Sequence, residues 1–232
     1  MSEPQAQRAC ARPAAAYRAG ARLVETAQPF APVRAAVKPR CALRLTMRAE
    51  IRRITHELEA TTILVTHDQL EAATMVDCVT CMNASRVEQV GTAERLYLHP
   101  QTLFVVGFIG SPPTNLIEAE VKDGFLQADG TRLEVSGATG TVTVGLRPEM
   151  LHPTEKGLAA IVSQVEQMCR EVLTTVDTDL DALRLLEAVA RPNWKVGEHS
   201  SLRFDPADLI LFGSNGERID GATVKLMEAA GA

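Results

Sequence analysis

The chain has 232 residues, of which 46% are hydrophobic and 23% charged, an ordinary composition for a soluble protein of one large or two small domains. The formal net charge of −5 argues against a nucleic-acid-binding protein, because phosphate contacts need clustered Lys and Arg side chains. No apolar run approaches the length that spans a bilayer. The five cysteines follow no disulfide or metal-ligand spacing, so a reducing cytoplasm fits best.

Residues 1–42 differ in composition from everything that follows. They are rich in Ala, Pro and Arg and poor in acidic residues, and no helical or strand period persists in them. This composition predicts a disordered extension unrelated to the rest of the chain. An organelle transit peptide and a translated wrong frame or misassigned start are the alternatives.

A folded pattern begins at Leu43. Apolar residues recur at helical spacing and define one face of a predicted helix, namely Leu43, Met47, Ile51, Ile54 and Leu58. The short, β-branched run Thr61–Val65 predicts a buried strand, and His67 follows the end of that strand. Asp68 occupies an N-cap position with Glu71 at capping-box spacing, which predicts a short helix through Met75.

Two further local patterns follow. The runs 78–82 and 86–90, separated by Asn83-Ala84-Ser85, predict a hairpin, and Thr92 can cap another short helix. Cys78 and Cys81 form a C-x-x-C pair, but no second ligand pair accompanies them, so core packing is the interpretation.

Ser111-Pro112-Pro113 marks a predicted domain boundary, because consecutive prolines cannot continue a helix. Short strands punctuated by Asp123-Gly124 and Asp129-Gly130 follow, which predicts a small β-barrel or sandwich. Residues 183–189 could be a strand or a helix by their spacing. Trp194 and Phe204 are expected in the core of this domain.

Three stretches carry a resemblance to a known family: MRAEIRRITHELEATTILVTHDQLEAATMVD, VEQVGTAERLYLHPQTLFVVGFIGSPPTNLIEAEV and VGLRPEML. They resemble the ATPase subunits of carbohydrate and sn-glycerol-3-phosphate ABC importers, from about Leu43 to Ile219. The resemblance implies an α/β remnant of an ABC ATPase domain followed by an all-β, OB-like (TOBE-type) barrel domain. The expected boundaries are 43–110 for the first, 111–220 for the second and 221–232 for a tail.

The resemblance also implies a function. The family couples ATP hydrolysis with Mg²⁺ to solute uptake, as a homodimer of ATPase subunits bound to transmembrane permease subunits at the inner face of the cell membrane. His67 matches the family's switch histidine, which contacts the γ-phosphate, while Asp68 and Gln69 belong to the same loop as supports. Arg147-Pro148-Glu149 matches a Gly-Leu-Arg-Pro-Glu motif of the regulatory barrel.

The chain departs from the family at its nucleotide-binding motifs. It contains no Gly-Lys pair of a Walker A loop, no Leu-Ser-Gly-Gly-Gln signature and no Asp-Glu pair of a Walker B strand. We therefore expect no ATP hydrolysis by this chain alone, and we interpret it as a truncated or frameshifted ATPase subunit. The alternative is a non-catalytic regulatory or dimerisation module, or the product of a pseudogene.

Overall fold

The computed structural model describes residues 41–128, 131–188 and 194–226. Most of the predicted extension (residues 1–40), the Asp129-Gly130 turn and residues 227–232 lie outside the described residues. The chain divides into two compact units, Met1–His99 and Pro100–Ala232, and each is described by itself. None of the described helices is long and apolar enough to cross a membrane.

The described residues of the first unit, 41–99, form three helices and one hairpin. Its elements in chain order are α1 (Cys41–Glu57), α2 (Gln69–Met75), β1 (Val79–Asn83), β2 (Arg86–Gly91) and α3 (Ala93–Leu98). The antiparallel pair β1–β2 is closed by Ala84 and Ser85, both with positive φ, as predicted for a two-residue hairpin loop. Thr92 caps α3 by accepting a hydrogen bond from the Arg95 N–H. Cys81 and Leu96 are buried, and Cys81 is a free thiol, in agreement with the core interpretation.

The predicted strand Thr61–Val65 does not form. These residues have no regular secondary structure, and Ile63 and Val65 are 77% and 92% exposed. The predicted apolar face of α1 is also exposed at Met47, Ile51 and Ile54. A strand needs a hydrogen-bonded neighbour, and within the described part of the chain no strand pairs with residues 61–65. The prediction of a buried strand is therefore wrong for this structure.

The second unit is a β-structure of two antiparallel sheets preceded by the short helix α4 (Leu103–Phe108). The six-stranded sheet has the order β12-β6-β3-β4-β5-β13, and the five-stranded sheet has the order β10-β9-β8-β11-β7. The strand bounds are β3 Asn115–Lys122, β4 Phe125–Ala128, β5 Thr131–Ser136, β6 Gly140–Leu146, β7 His152–Thr154, β8 Leu158–Met168, β9 Glu171–Thr178, β10 Ala182–Ala188, β11 His199–Arg203, β12 Ile210–Gly213 and β13 Thr223–Leu226. The predicted all-β domain is confirmed, and the described part of the ambiguous segment belongs to the strand Ala182–Ala188.

Two hydrophobic clusters lie within the second unit. One is centred on Val142 and Val144 and the other on Leu183 and Leu185, with the alternate residues of each strand facing inward. Phe204 packs against both clusters, and Trp194 packs against the second. The expected core roles of Trp194 and Phe204 are thus confirmed.

The segment before the prolines is part of the second unit. The Leu103 N–H donates to the Gly216 carbonyl and the Arg218 N–H donates to the Gln101 carbonyl, both at 2.9 Å, while Val105 and Val106 of α4 are fully buried. The division of the chain after His99 therefore lies before Ser111–Pro113, the predicted domain boundary. At the other end, β13 pairs with β5, so the sheet continues past residue 220, the predicted end of the domain.

Asn115 links the two sheets of the second unit. This buried side chain at the start of β3 donates from Nδ2 to the Arg184 carbonyl at 2.9 Å and accepts at Oδ1 from the Arg184 N–H at 2.8 Å. A side-chain amide has the same donor and acceptor as a peptide group. Asn115 therefore pairs with the backbone of β10 as a neighbouring strand would.

Candidate functional site

His67, the candidate site residue, lies in the segment Thr66–Asp68 that precedes helix α2. We call this segment the His67 loop. The imidazole is exposed. Both neighbours of His67 are held by hydrogen bonds, because the Asp68 N–H donates to Thr66 Oγ1 at 3.0 Å and the Thr66 hydroxyl donates to Glu71 Oε2 at 2.9 Å. The loop is thus fixed on both sides of a histidine that itself faces solvent.

Asp68 caps helix α2 as its position in the sequence predicts. Its Oδ1 accepts from the Leu70 N–H at 2.9 Å and from the Glu71 N–H at 3.0 Å. In a capping box the Glu71 carboxylate would accept from the Asp68 N–H. Here the Thr66 hydroxyl accepts that hydrogen bond instead and donates to Glu71, so the hydroxyl mediates the second half of the box. The following residue, Gln69, is the first residue of the helix.

Helix α1 contacts the His67 loop and α2 through a polar stripe of side chains one turn apart, Arg48, Arg52 and His56. Arg48 Nη2 lies 3.2 Å from Asp68 Oδ2 and 3.3 Å from Glu71 Oε1. Arg52 donates to the Thr74 carbonyl at 3.1 Å and to Asp77 Oδ1 at 3.0 Å, near the C-terminal end of α2. His56 Nε2 is 3.5 Å from Asp77 Oδ2. This stripe was not predicted from the sequence, although its spacing of four residues is visible there.

The charges in the loop follow from these contacts. The pKa of Asp68 is lowered from its ordinary value of 3.8, chiefly by the hydrogen bond from the Glu71 N–H and further by the positive charge of Arg48. Asp68 is therefore a carboxylate at neutral pH. Its negative charge at the N-terminus of α2 also interacts favourably with the helix dipole.

Most polar groups around the His67 loop are already hydrogen-bonded within the protein. A phosphate site needs backbone N–H groups and cations aimed at the ligand. Here the Leu70 and Glu71 N–H groups donate to Asp68, and the guanidinium of Arg48 contacts two carboxylates. In the part of the chain that the structure describes, no group of His, Cys, Asp and Glu side chains could hold a metal ion.

The second candidate stretch, Arg147-Pro148-Glu149, joins β6 to a short 3-10 turn at Pro148–Met150. The Arg147 side chain is buried, and its Nη1 donates to the Ile109 carbonyl at 3.1 Å and to Thr114 Oγ1 at 3.2 Å. Burial lowers the pKa of Arg147 to about 10, so the guanidinium stays charged at neutral pH. Arg147 thus holds the chain that leaves α4 against the end of β6, which is a structural role.

The C-x-x-C pair has no ligand geometry. Cys81 is buried on β1, whereas Cys78 is half-buried and precedes the strand. Burial, together with the nearby charge of Glu88, raises the pKa of the Cys81 thiol. A thiol with a raised pKa is a weaker nucleophile and metal ligand, because the reactive form is the thiolate.

Comparison with known proteins defines the class of this fold. The family model of the TOBE domain matches residues 144–212, which lie in the second unit. The chain is also similar to ATP-binding proteins of importers. It is 49% identical over 129 residues to the sn-glycerol-3-phosphate import ATP-binding protein UgpC of Ruegeria pomeroyi, and the match covers 54% of this chain and 37% of that protein.

Two further relatives extend this likeness. UgpC 1 of Rhizobium johnstonii is 37% identical over 191 residues, which cover 76% of this chain and 51% of that protein. An uncharacterized ABC transporter ATP-binding protein, y4oS of Sinorhizobium fredii, is 47% identical over 133 residues, which cover 53% of this chain and 36% of that protein. The chain therefore spans between about a third and a half of the length of these relatives.

These matches confirm the family resemblance found in the sequence. The chain matches the TOBE domain and is similar, over part of its length, to ATP-binding proteins of ABC importers. The predicted fold class, a small α/β part followed by an OB-like β-domain, is confirmed as well.

Proposed function

We propose that the chain is the C-terminal part of an ATP-binding subunit of an ABC importer for sugars or sn-glycerol-3-phosphate. The observation that carries this proposal is the 191-residue similarity to UgpC 1, because a match of that length must include residues from both units. The TOBE match in the second unit supports the same assignment independently.

In this proposal the second unit is the regulatory part of the subunit. It pairs with the corresponding part of a second ATP-binding subunit, and the assembly binds transmembrane permease subunits at the cytoplasmic face of the membrane. The acidic net charge of −5 is consistent with protein partners rather than nucleic acid.

We further propose that these 232 residues do not bind or hydrolyse ATP with Mg²⁺ on their own. Most of the binding free energy in P-loop sites comes from backbone amides, a lysine and the metal. The sequence contains no Gly-Lys pair, and the His67 loop presents carboxylates rather than phosphate-binding groups. In an assembled subunit, His67 would contact the γ-phosphate as the switch histidine does in the family.

The test is equilibrium binding of a fluorescent ATP analogue with Mg²⁺ to the purified chain, with His67→Ala as the matched variant. A full-length relative such as UgpC of Ruegeria pomeroyi serves as the positive control. We expect no saturable binding by either form of this chain. Micromolar binding that His67→Ala weakens would show that the chain forms a nucleotide site and would refute the proposed inactivity.

The second candidate function is that of a non-catalytic interaction module. It is favoured by the location of both hydrophobic clusters in the second unit, which gives that unit a core of its own. Light scattering of the chain mixed with a full-length relative would distinguish the two functions. If the chain forms a heterodimer with the relative and has no ATPase activity, the non-catalytic module is favoured. If adding an N-terminal ATPase fragment restores ATPase activity, the ATP-binding subunit is favoured.

A further inference from the structure

The four polar side chains around His67 form a closed network. Thr66, Asp68 and Glu71 are connected through the Thr66 hydroxyl and the N-cap bonds of Asp68. Arg48 closes the network from a different helix, since one nitrogen, Nη2, contacts both Asp68 Oδ2 and Glu71 Oε1. This contact joins α1 to the loop across 20 residues of sequence.

Arg48 is also the most enclosed charge in this network. Its side chain is 11% exposed, whereas those of Asp68 and Glu71 are 41% and 35% exposed. A shielded guanidinium that pairs with two carboxylates is held more firmly than an exposed ion pair, because solvent screens it less. Arg53 on the same helix provides the contrast, since Arg53 and its partners Glu50 and Glu57 are all more than half exposed.

The loop needs such an anchor because the segment before it provides none. Residues 61–65 are exposed and form no strand, so the usual support of a loop that ends a buried strand is missing here. Arg48 attaches the loop to α1 from the other side. The N-terminal and C-terminal ends of α2 are held by different residues of α1, Arg48 at the first and Arg52 at the second.

We propose that Arg48 is a positioning residue for His67. Arg48 holds the backbone on both sides of the histidine in one conformation before any nucleotide or neighbouring strand is present. The role of His67 in this inference rests on the proposed function, whereas the positioning of the loop by Arg48 does not. The chemical consequence is that the imidazole is presented from a preformed loop, so that less conformational entropy is lost when a phosphoryl oxygen contacts it.

The experiment is NMR spectroscopy of the labelled full chain. It measures amide exchange at Asp68, Leu70 and Glu71 and the ¹⁵N relaxation of the His67 backbone amide. For Arg48→Ala we expect exchange at these three amides to rise by about tenfold or more, and the His67 backbone amide to become as mobile as that of an unrestrained loop. Arg48→Lys should restore part of the protection, because an ammonium group can reach one of the two carboxylates.

Two variants separate positioning of His67 from simple docking of helices. Arg52→Ala removes the contacts at the other end of α2, so it should change exchange near Thr74 and Asp77 and leave the His67 backbone amide unchanged. Asp68→Asn keeps an acceptor for the Leu70 and Glu71 N–H groups but removes the charge that Arg48 contacts. It should make the His67 backbone amide more mobile while the two capped amides remain protected.

Equal effects of Arg48→Ala and Arg52→Ala on the mobility of the His67 backbone amide would overturn the inference, as would an unchanged mobility in Arg48→Ala. If Arg48→Ala does not fold, the Asp68→Asn result decides the question in the same way. The inference and the proposed function can each be refuted without refuting the other. ATP binding by the chain would refute the proposed inactivity and leave the loop measurements valid, whereas an Arg48-independent loop would refute the inference alone.

Discussion

At the scale of single residues, the buried guanidinium of Arg147 has the clearest energetic role. It donates to the Ile109 carbonyl and to Thr114 Oγ1 in a site from which water is largely excluded. The Thr114 hydroxyl in turn donates to the Val106 carbonyl at 2.9 Å. Removing the guanidinium would leave buried acceptors without a donor, which costs more than the net value of the hydrogen bonds themselves.

We therefore expect Arg147→Met to lower the free energy of unfolding by about 2–4 kcal/mol. The measurement is urea denaturation followed by the fluorescence of Trp194, the single tryptophan of the chain. Arg203→Met on β11 is the control, because Arg203 is exposed and the same change there should cost less than about 0.5 kcal/mol. Similar losses for the two variants would contradict the role assigned to Arg147.

Asp68 gives a prediction about pH. Its pKa in the folded protein is below its ordinary value, so its stabilising contribution is present above pH 3.8 and is lost as the pH falls through the lowered value. The charged or titratable groups facing it are Arg48, Glu71 and His67. We expect the amide chemical shifts of Leu70 and Glu71 to titrate in acid with a midpoint below 3.8, and to lose this step in Asp68→Asn. A midpoint at or above 3.8 would show that the cap is not formed.

At the scale of elements, two hairpins of the same loop length use different residues for the same backbone. Ala84 and Ser85 have φ values of 44° and 65°, and Asp123 and Gly124 have φ values of 53° and 78°. Two successive positive φ values define the mirror-image turn that suits the twist of a hairpin, and Asn-Gly or Asp-Gly are its preferred residues. The loop Ala84-Ser85 therefore holds two residues in a conformation that side chains disfavour.

This difference predicts opposite effects of exchanging the loops. Ala84→Asn combined with Ser85→Gly should stabilise the β1–β2 hairpin by about 1 kcal/mol, because the left-handed conformation then costs less. Asp123→Ala combined with Gly124→Ser should destabilise β3–β4 by a similar amount, about 1 kcal/mol. Amide exchange of the paired strand residues measures both. A stabilising effect at both loops would mean that turn preference does not determine these hairpins.

The hairpins also show which parts of the fold the sequence could predict. Asp123-Gly124 and Asn83–Ser85 were found because a tight turn and its flanking strands are adjacent in the chain. The strand expected at Thr61–Val65 failed because its hydrogen-bonding partners must come from distant residues, which a local pattern does not contain. For the same reason the sequence predicted the apolar face of α1 but not the exposure of that face to solvent.

The candidate site divides in the same manner. Asp68 could be placed at the helix N-cap because its signal lies within four residues of sequence. Arg48 could not be connected to Asp68, because the contact depends on how α1 packs near α2, and helix packing is set by the surrounding structure. The assignment of His67 came from the family resemblance and not from its residue type, and its contact with a nucleotide stays a prediction.

At the scale of the whole molecule, the division at His99 separates units of different character. In the second unit buried residues form two clusters, whereas the apolar side chains of α1 and of residues 61–65 in the first unit are mostly exposed. Burial of apolar surface is the dominant stabilising term in folding. We therefore expect the second unit to be the more stable of the two.

We expect residues 100–232, produced alone, to fold and to unfold cooperatively in urea with the midpoint that Trp194 reports in the full chain. Leu185→Ala is the test of a shared core, because it should lower stability by about 2–5 kcal/mol equally in the fragment and in the full chain. A fragment that begins after Pro113 should be less stable, since it lacks α4 and the backbone bonds of Gln101 and Leu103. A fragment of residues 100–232 without near-ultraviolet circular dichroism would refute this expectation.

The amide of Asn115 has a consequence that reaches beyond the single molecule. β10 is the last strand of its sheet, and an edge strand offers free backbone groups on which a strand of another copy can add. The Asn115 side chain is hydrogen-bonded to both the N–H and the carbonyl group of Arg184, which lies near the middle of that edge. An incoming strand would have to displace a paired amide before it could form a continuous ladder. Asn115 therefore opposes strand addition at this position of the β10 edge.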